Sequence, residues 1–423
     1  MATAPERPGR PPPARHRSPM NRALLVVLAV LGSLLLVGCA GARFTVKGGW
    51  SGPTVYLSEE EERVIYVGNQ EGRLLALDDS GGLLWSFPRV SDEALGSVLY
   101  GAPAADGERV YLGTYTGELY ALDADTGEMA TEWSTNPIVI EDAHIIGGPT
   151  LVEREQCVAA DRRVVEGGVL LFGTTDNALY AVCAGNGSLV WRVETQGEVW
   201  GAPTVSEDTV DATVYAGSQD GHLYAISLER GTPVWARAFK AGGAIMAQPL
   251  VVDGKVFIGA LDGKMYALDA ASGTPVWPKP FDGGSWFWAG AISDGESLYA
   301  VTVKGRVAAL NLDTGVKQWE TDLNTMVIST PVMAQSQGRT RLVVGTKVGQ
   351  IALLYADSGQ EDGGRIPIED GRNGSVKLKA SLGVFESIVY VNTLDSWTTQ
   401  AMDLDAGGEV FWICPPSCVG VNQ

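Results

Sequence analysis

Histidine is close to absent from this chain: three in 423 residues, and only His144 and His222 lie beyond the extreme N-terminus. That is too few for a histidine metal cluster, and their spacing is not that of metal ligands. No Gly-rich phosphate cradle and no G-x-S-x-G elbow occurs. Positive charge is short as well, with 31 Lys and Arg against 50 Asp and Glu, a net −19. The first 38 residues hold five Arg against Glu6, so removing that +4 leaves −23. Such a surface repels phosphate backbones and excludes nucleic acid as a natural partner. Long apolar runs are missing but for one, the sixteen residues 23–38 ("ALLVVLAVLGSLLLVG"), which is short for a membrane-spanning helix.

That run has the length of a signal-peptide core, with a basic flank before it. Its ending "LVGC" (36–39) resembles a bacterial lipobox, in which the thiol of Cys39 receives a diacylglycerol. Residues 1–38 are therefore expected to be removed, with 1–19 an upstream start-site artefact or an extension before Met20. Residues 39–49 are expected to form a lipidated tether. Ala40 is not the Asp that retains many lipoproteins at an inner membrane, so outer-membrane sorting is permitted where that membrane exists. Export places the remaining cysteines, Cys157, Cys183, Cys414 and Cys418, in an oxidising compartment, where an even number fits two disulfides.

Glycine, by contrast, is plentiful (53), and it punctuates a repeat. The phrase "LYAVCAGNGSLVW" (179–191) returns as "LYAISLERGTPVW" (223–235) and "MYALDAASGTPVW" (265–277). A strand precedes each copy and ends at Gly68, Gly113, Gly173, Gly217, Gly259, Val301, Gly345 or Asn392, with spacings of 45, 60, 44, 42, 42, 44 and 47. A period in the low forties with four short strands per unit predicts an all-β, eight-bladed β-propeller of four-stranded antiparallel blades over residues 50–415, with a tail at 416–423. Strands of four to six residues cannot bury their faces alone, so each unit needs neighbours. Trp85, Trp133, Trp191, Trp235, Trp277, Trp319 and Trp412 are expected to close fourth strands and to lie over the adjoining blade's turn. Small Ala225, Ala267 and Ala309 would let the sheets approach. The seventh unit lacks its Trp and offers Ile366 and Ile368 instead, which predicts the loosest blade. Asp123, Asp269 and Asp403 fall where a carboxylate can cap a turn. His222, at the tight turn of its unit, is expected to be exposed.

The pattern A-x-D-x-x-x-G-x-x-x-W, seen in "ALDAASGTPVW" and nearly so in "ALNLDTGVKQW" (309–319), resembles the tryptophan-docking motif of the pyrroloquinoline-quinone (PQQ) repeat family. The likeness covers about residues 50–415 and implies the propeller fold. It does not fix activity, because the family includes both quinoprotein dehydrogenases and non-catalytic BamB-like lipoproteins. The dehydrogenases would imply PQQ and calcium, an Asp base and, in many, a vicinal disulfide. This chain has no Cys-Cys pair and no long insertions, and no cofactor or metal ligand transfers to it.

What remains is a surface. Trp50, Tyr100, Ile146, Trp200, Met246, Trp288 and Ile328 precede the first strands and are expected to ring the channel mouth, with Trp286 and Phe287 beside them, where aromatics either plug the funnel or dock an extended peptide or partner loop. The resulting expectation is a monomeric, lipid-anchored envelope scaffold that docks a protein or extended peptide without catalysis. A PQQ-dependent dehydrogenase and an extracellular ligand- or glycan-binding propeller are the alternatives. Loops one–two and three–four of a meander share a face, and the flexible insertion at Cys157 can lean toward Cys183. The expected disulfides are therefore 157–183 and 414–418. Blade eight has its own fourth-strand phrase (405–412), so residues 42–48 are expected to act as a tether rather than a closing strand.

Overall fold

Each repeat becomes one antiparallel sheet, and eight such sheets stand around a ring as a β-propeller. The computed structural model describes residues 51–57, 62–69, 72–206, 212–368, 378, 382–393 and 398–414. The signal segment 1–38, Cys39, the tether, Trp50, Cys418 and the C-terminal tail lie outside the described residues.

Blade one is Thr54–Leu57, Arg63–Gly68, Leu74–Leu77 and Leu83–Phe87, and blade eight is Gly383–Phe385, Ile388–Asn392, Thr399–Asp403 and Glu409–Cys414. Both are contiguous in sequence, so blade eight supplies its own outer strand, as its phrase predicts. The middle strands are mostly buried, and Val169–Thr174 and Thr213–Gly217 are buried along their whole length. Both faces of such a strand meet another blade, so it reads as a continuous apolar run. Outer strands such as Leu189–Glu194 show repeated exposed positions. There is accordingly no single core. Eight apolar clusters each span one seam between neighbours, the eighth joining Ile65 and Leu77 of blade one to Tyr390 and Trp412 of blade eight.

The repeated tryptophan is the pin of each seam. Its indole Nε1 donates to a backbone carbonyl of the next blade: Trp85 to Ala124, Trp133 to Ala184, Trp191 to Leu228, Trp235 to Ala270, Trp277 to Leu312, Trp319 to Ala356 and Trp412 to Asp79, all at 2.6–3.0 Å. The ring lies on a glycine of that blade. A Cβ on Gly231 would sit 2.6 Å from the Trp191 ring, and its φ of +64° is one that only glycine adopts without strain.

One expectation needs correction. Trp85, Trp191, Trp319 and Trp412 do lie within fourth strands, opposite Ala76, Ala181, Ala309 and Ala401. Trp133, Trp235 and Trp277 do not. Each sits between a single bridge, at Met129, Pro233 or Pro275, and a two-residue strand further on. Two of the bridges fall at prolines, Pro233 and Pro275, and the residues after them, Val234 and Val276, donate to Ala225 O (2.8 Å) and Ala267 O (2.9 Å) before the pairing breaks off. In the third, blade two, the two-residue strand comes directly after Pro137. The unbroken outer strands carry no proline between their ends.

Blade seven also departs from the pattern. Gly363 occupies the tryptophan's place, and Ile366 reaches the docking glycine of blade eight, Gly408, instead. A polar clamp backs it, with the Ser336 hydroxyl (2.6 Å) and the Gln337 N–H (2.8 Å) both donating to Asp405 Oδ1.

Candidate functional site

The link from each outer strand to the next inner strand passes the channel in extended conformation, so successive side chains alternate between core and mouth. Leu99, Ile145, Val199, Ile245, Phe287 and Val327 point inward and are buried. Tyr100, Ile146, Trp200, Met246, Trp288 and Ile328 follow them and are half-buried at the mouth. The alternation corrects the expectation for Phe287. It is 1% exposed, packed on Met265 and against Gly259. In the run Trp286-Phe287-Trp288 the middle ring must turn into the core.

The turns between second and third strands lie on the same face. Thr175 N–H donates to His144 O (3.1 Å), Gln219 to Glu198 (2.8 Å), Leu261 to Ala244 (2.9 Å), Val303 to Trp286 (2.9 Å) and Lys347 to Met326 (2.8 Å). Two aromatic groups form there. Trp200 and Trp288 meet edge to face with centroids 6.4 Å apart, although they enter blades four and six. Side chains a whole blade apart can touch only where blades converge, near the axis. The Trp200 indole donates to Glu198 Oε2 at 2.5 Å, and Gln219 Nε2 donates to the same oxygen at 3.1 Å. Around blades two and three, Tyr115 stacks on His144 (4.0 Å) and takes Tyr100 against its edge (5.3 Å). Burial first, and Tyr115 second, push the Tyr100 hydroxyl up to about 12, so it stays neutral. The sequence reading missed Tyr115, His144 and Glu198. The period-two alternation of the links was the signal that could have found His144 and Glu198.

The acids nearby are engaged in structure. Asp176, Asp220 and Asp262 accept from the hydroxyls of Tyr180, Tyr224 and Tyr266 at 2.8, 2.7 and 2.5 Å. Burial alone would raise the Asp220 carboxyl, but the hydrogen bonds from Tyr224 and from the His222 N–H, with the His222 ring 3.1 Å away, hold it below the usual range. His222 is half-buried rather than exposed. Asp123, Asp269 and Asp403 cap turns at the other end of the strands, accepting backbone N–H groups at 2.8, 2.8 and 2.9 Å.

On that opposite face the insertion of blade three is a hairpin of its own, Gln156–Val158 paired with Val164–Glu166. Cys157 bonds Cys183 with Cα atoms 5.6 Å apart, the pairing expected from the sequence. Cys414 is buried at the end of blade eight. Among the described residues no three His, Cys, Asp or Glu side chains converge to hold a metal ion.

A family profile described as outer membrane protein assembly factor BamB, of the PQQ-repeat type, matches residues 42–162, 130–243 and 219–412. BamB of Moranella endobia is 26% identical over 188 residues, an alignment spanning 43% of each chain, so the match covers less than half of that relative. The crystal structure of BamB from Moraxella catarrhalis superposes with a TM-score of 0.59 at 19% identity, covering 80% of this chain and 93% of that one. Quinohemoprotein alcohol dehydrogenase from Comamonas testosteroni shares the fold at a TM-score of 0.55 and 14% identity, covering 76% and 67%.

Proposed function

The chain belongs to the family of the outer membrane protein assembly factor BamB, and from that premise we propose that it is a monomeric, non-catalytic envelope scaffold that docks a protein partner at the channel mouth during outer-membrane protein assembly. The Trp200–Trp288 contact carries this reading. It builds an aromatic platform near the axis, with Glu198 and Gln219 at its edge. Aromatic anchors of this kind dominate protein docking. Recovery of partners from native membranes tests it. The double variant Trp200→Ala/Trp288→Ala should lose the partner while keeping the wild-type melting temperature. Undiminished recovery would overturn the assignment.

The proposal places the protein outside the cytoplasm on a lipid anchor at Cys39, at the outer membrane where the cell has one. Cys39→Ala should then remain an uncleaved precursor without the diacylglycerol adduct, and normal maturation by N-terminal mass spectrometry would refute it. No cofactor has a part in this reading. Stoichiometric quinone absorbance after adding PQQ and calcium would replace it with the dehydrogenase reading.

A further inference from the structure

The mouth is not uniform around the ring. At the tips of the turns between second and third strands, blades three, four and five carry Thr175-Asp176, Gln219-Asp220 and Leu261-Asp262, and each Asp is clipped to a tyrosine four residues on. Blades six and seven carry Val303-Lys304 and Lys347-Val348 at the same places, and the tyrosine positions are Ala308 and Ala352. The repeat has thus exchanged a self-satisfied carboxylate for a lysine and an apolar side chain on two neighbouring blades.

These residues form one patch. Met326 lies between the two tips, because its carbonyl accepts from Lys347 N–H (2.8 Å) and the next residue, Val327, donates to Val303 O at 3.2 Å. Trp286 joins through its own carbonyl, bonded by Val303 N–H at 2.9 Å. Met326 is 42% and Val348 56% exposed. Neither Lys304 nor Lys347 enters an ion pair among the described residues. Solvent-facing apolar side chains beside two unmatched ammonium groups are unusual on a chain of net charge −19.

We propose that this sector of blades six and seven is a second docking subsite of the mouth, and that it takes an extended protein segment alternating apolar and acidic side chains. Charge complementarity selects that occupant. Carboxylates of the segment would meet Lys304 and Lys347, and its apolar side chains would cover Met326, Val348 and Trp286. The strongly acidic remainder of the surface would repel the same segment, so the patch also fixes where it can land. The inference rests on the mouth being an interaction face, but not on Trp200 or Trp288.

The test uses the purified chain and a fluorescein-labelled nonapeptide of alternating Leu or Phe and Asp, with its Asp→Lys counterpart as comparison, read by anisotropy. The acidic peptide should bind saturably and the basic one should not. Lys304→Glu/Lys347→Glu should weaken binding about tenfold or more, which is about 1.4 kcal/mol. Met326→Ser/Val348→Ser should weaken it several-fold, while Arg162→Glu/Arg163→Glu on the opposite face controls for net charge. Equal binding of both peptides, no saturable binding, or an undiminished Lys304→Glu/Lys347→Glu variant would overturn the subsite. Lysine-dependent sedimentation with phosphatidylglycerol vesicles in the absence of peptide binding would also overturn it and assign the patch to a lipid surface. Loss of the native partner on Trp200→Ala/Trp288→Ala is read separately and leaves this result standing.

Discussion

Trp412 donates its indole N–H to the carbonyl oxygen of Asp79 at 2.9 Å, across 333 residues of sequence. This bond, with the ring of Trp412 lying on Gly81, pins the last blade to the first. Asn392 adds to the closure by donating to Ser51 O (2.9 Å) and Gly68 O (2.8 Å). The described closure is thus made by docked side chains between two complete sheets.

Trp412 should therefore be graded in its effects. Trp412→Phe removes the donor and part of the ring, and should cost about 1 kcal/mol. Trp412→Ala removes the buried ring and should cost about 3–5 kcal/mol. Melting temperatures at one fixed scan rate check the order. Equal losses would mean that burial of the ring contributes nothing to closure.

The docking glycines make a second prediction. Gly359 has φ +68°, and a Cβ there would lie 2.3 Å from the Trp319 ring. Gly254 has a similar φ, +65°, with nothing within 4 Å. Gly254→Ala should cost only the backbone strain of about 1–2 kcal/mol. Gly359→Ala should cost clearly more and red-shift the tryptophan fluorescence as the indole is displaced.

The clamp at the seam without a tryptophan should be pH-sensitive. The Ser336 hydroxyl, and after it the Gln337 N–H, hold the Asp405 carboxyl below the usual carboxylate range. A carboxyl lowered on folding stabilises the fold above its unfolded value near 4, and that contribution fades as pH falls below it. The wild type should thus lose melting temperature on acidification below about pH 4 more steeply than Asp405→Asn. Parallel curves would remove Asp405 from the seam's stability.

The Cys157–Cys183 bond closes a loop of sequence separation 26. A loop of that size corresponds to about 3 kcal/mol in the chain-entropy account. The double variant Cys157→Ser/Cys183→Ser should melt lower by that amount. Non-reducing peptide mapping of the wild type should also return a 414–418 pair, and a 157–414 or 183–418 peptide would contradict the blade order itself.

Much of the fold was legible in the sequence because its information is local and repeated. Marker strands at a period in the forties define a blade, and a blade has to bury both faces against copies of itself. The tryptophans, the turn-capping Asp residues and the Cys157–Cys183 pairing followed from position within that unit. Other features were decided by neighbours that no single repeat contains. Phe287 looked like surface beside Trp286 and Trp288 until the extended link turned it onto Gly259. Trp200 and Trp288 lie 88 residues apart in sequence and touch only because the ring narrows toward its axis. The lysine patch of blades six and seven likewise exists only once two turn tips are brought to either side of Met326. A repeat specifies what its strands need from a neighbour, and the closed ring decides which side chains are left over at the mouth to meet something else.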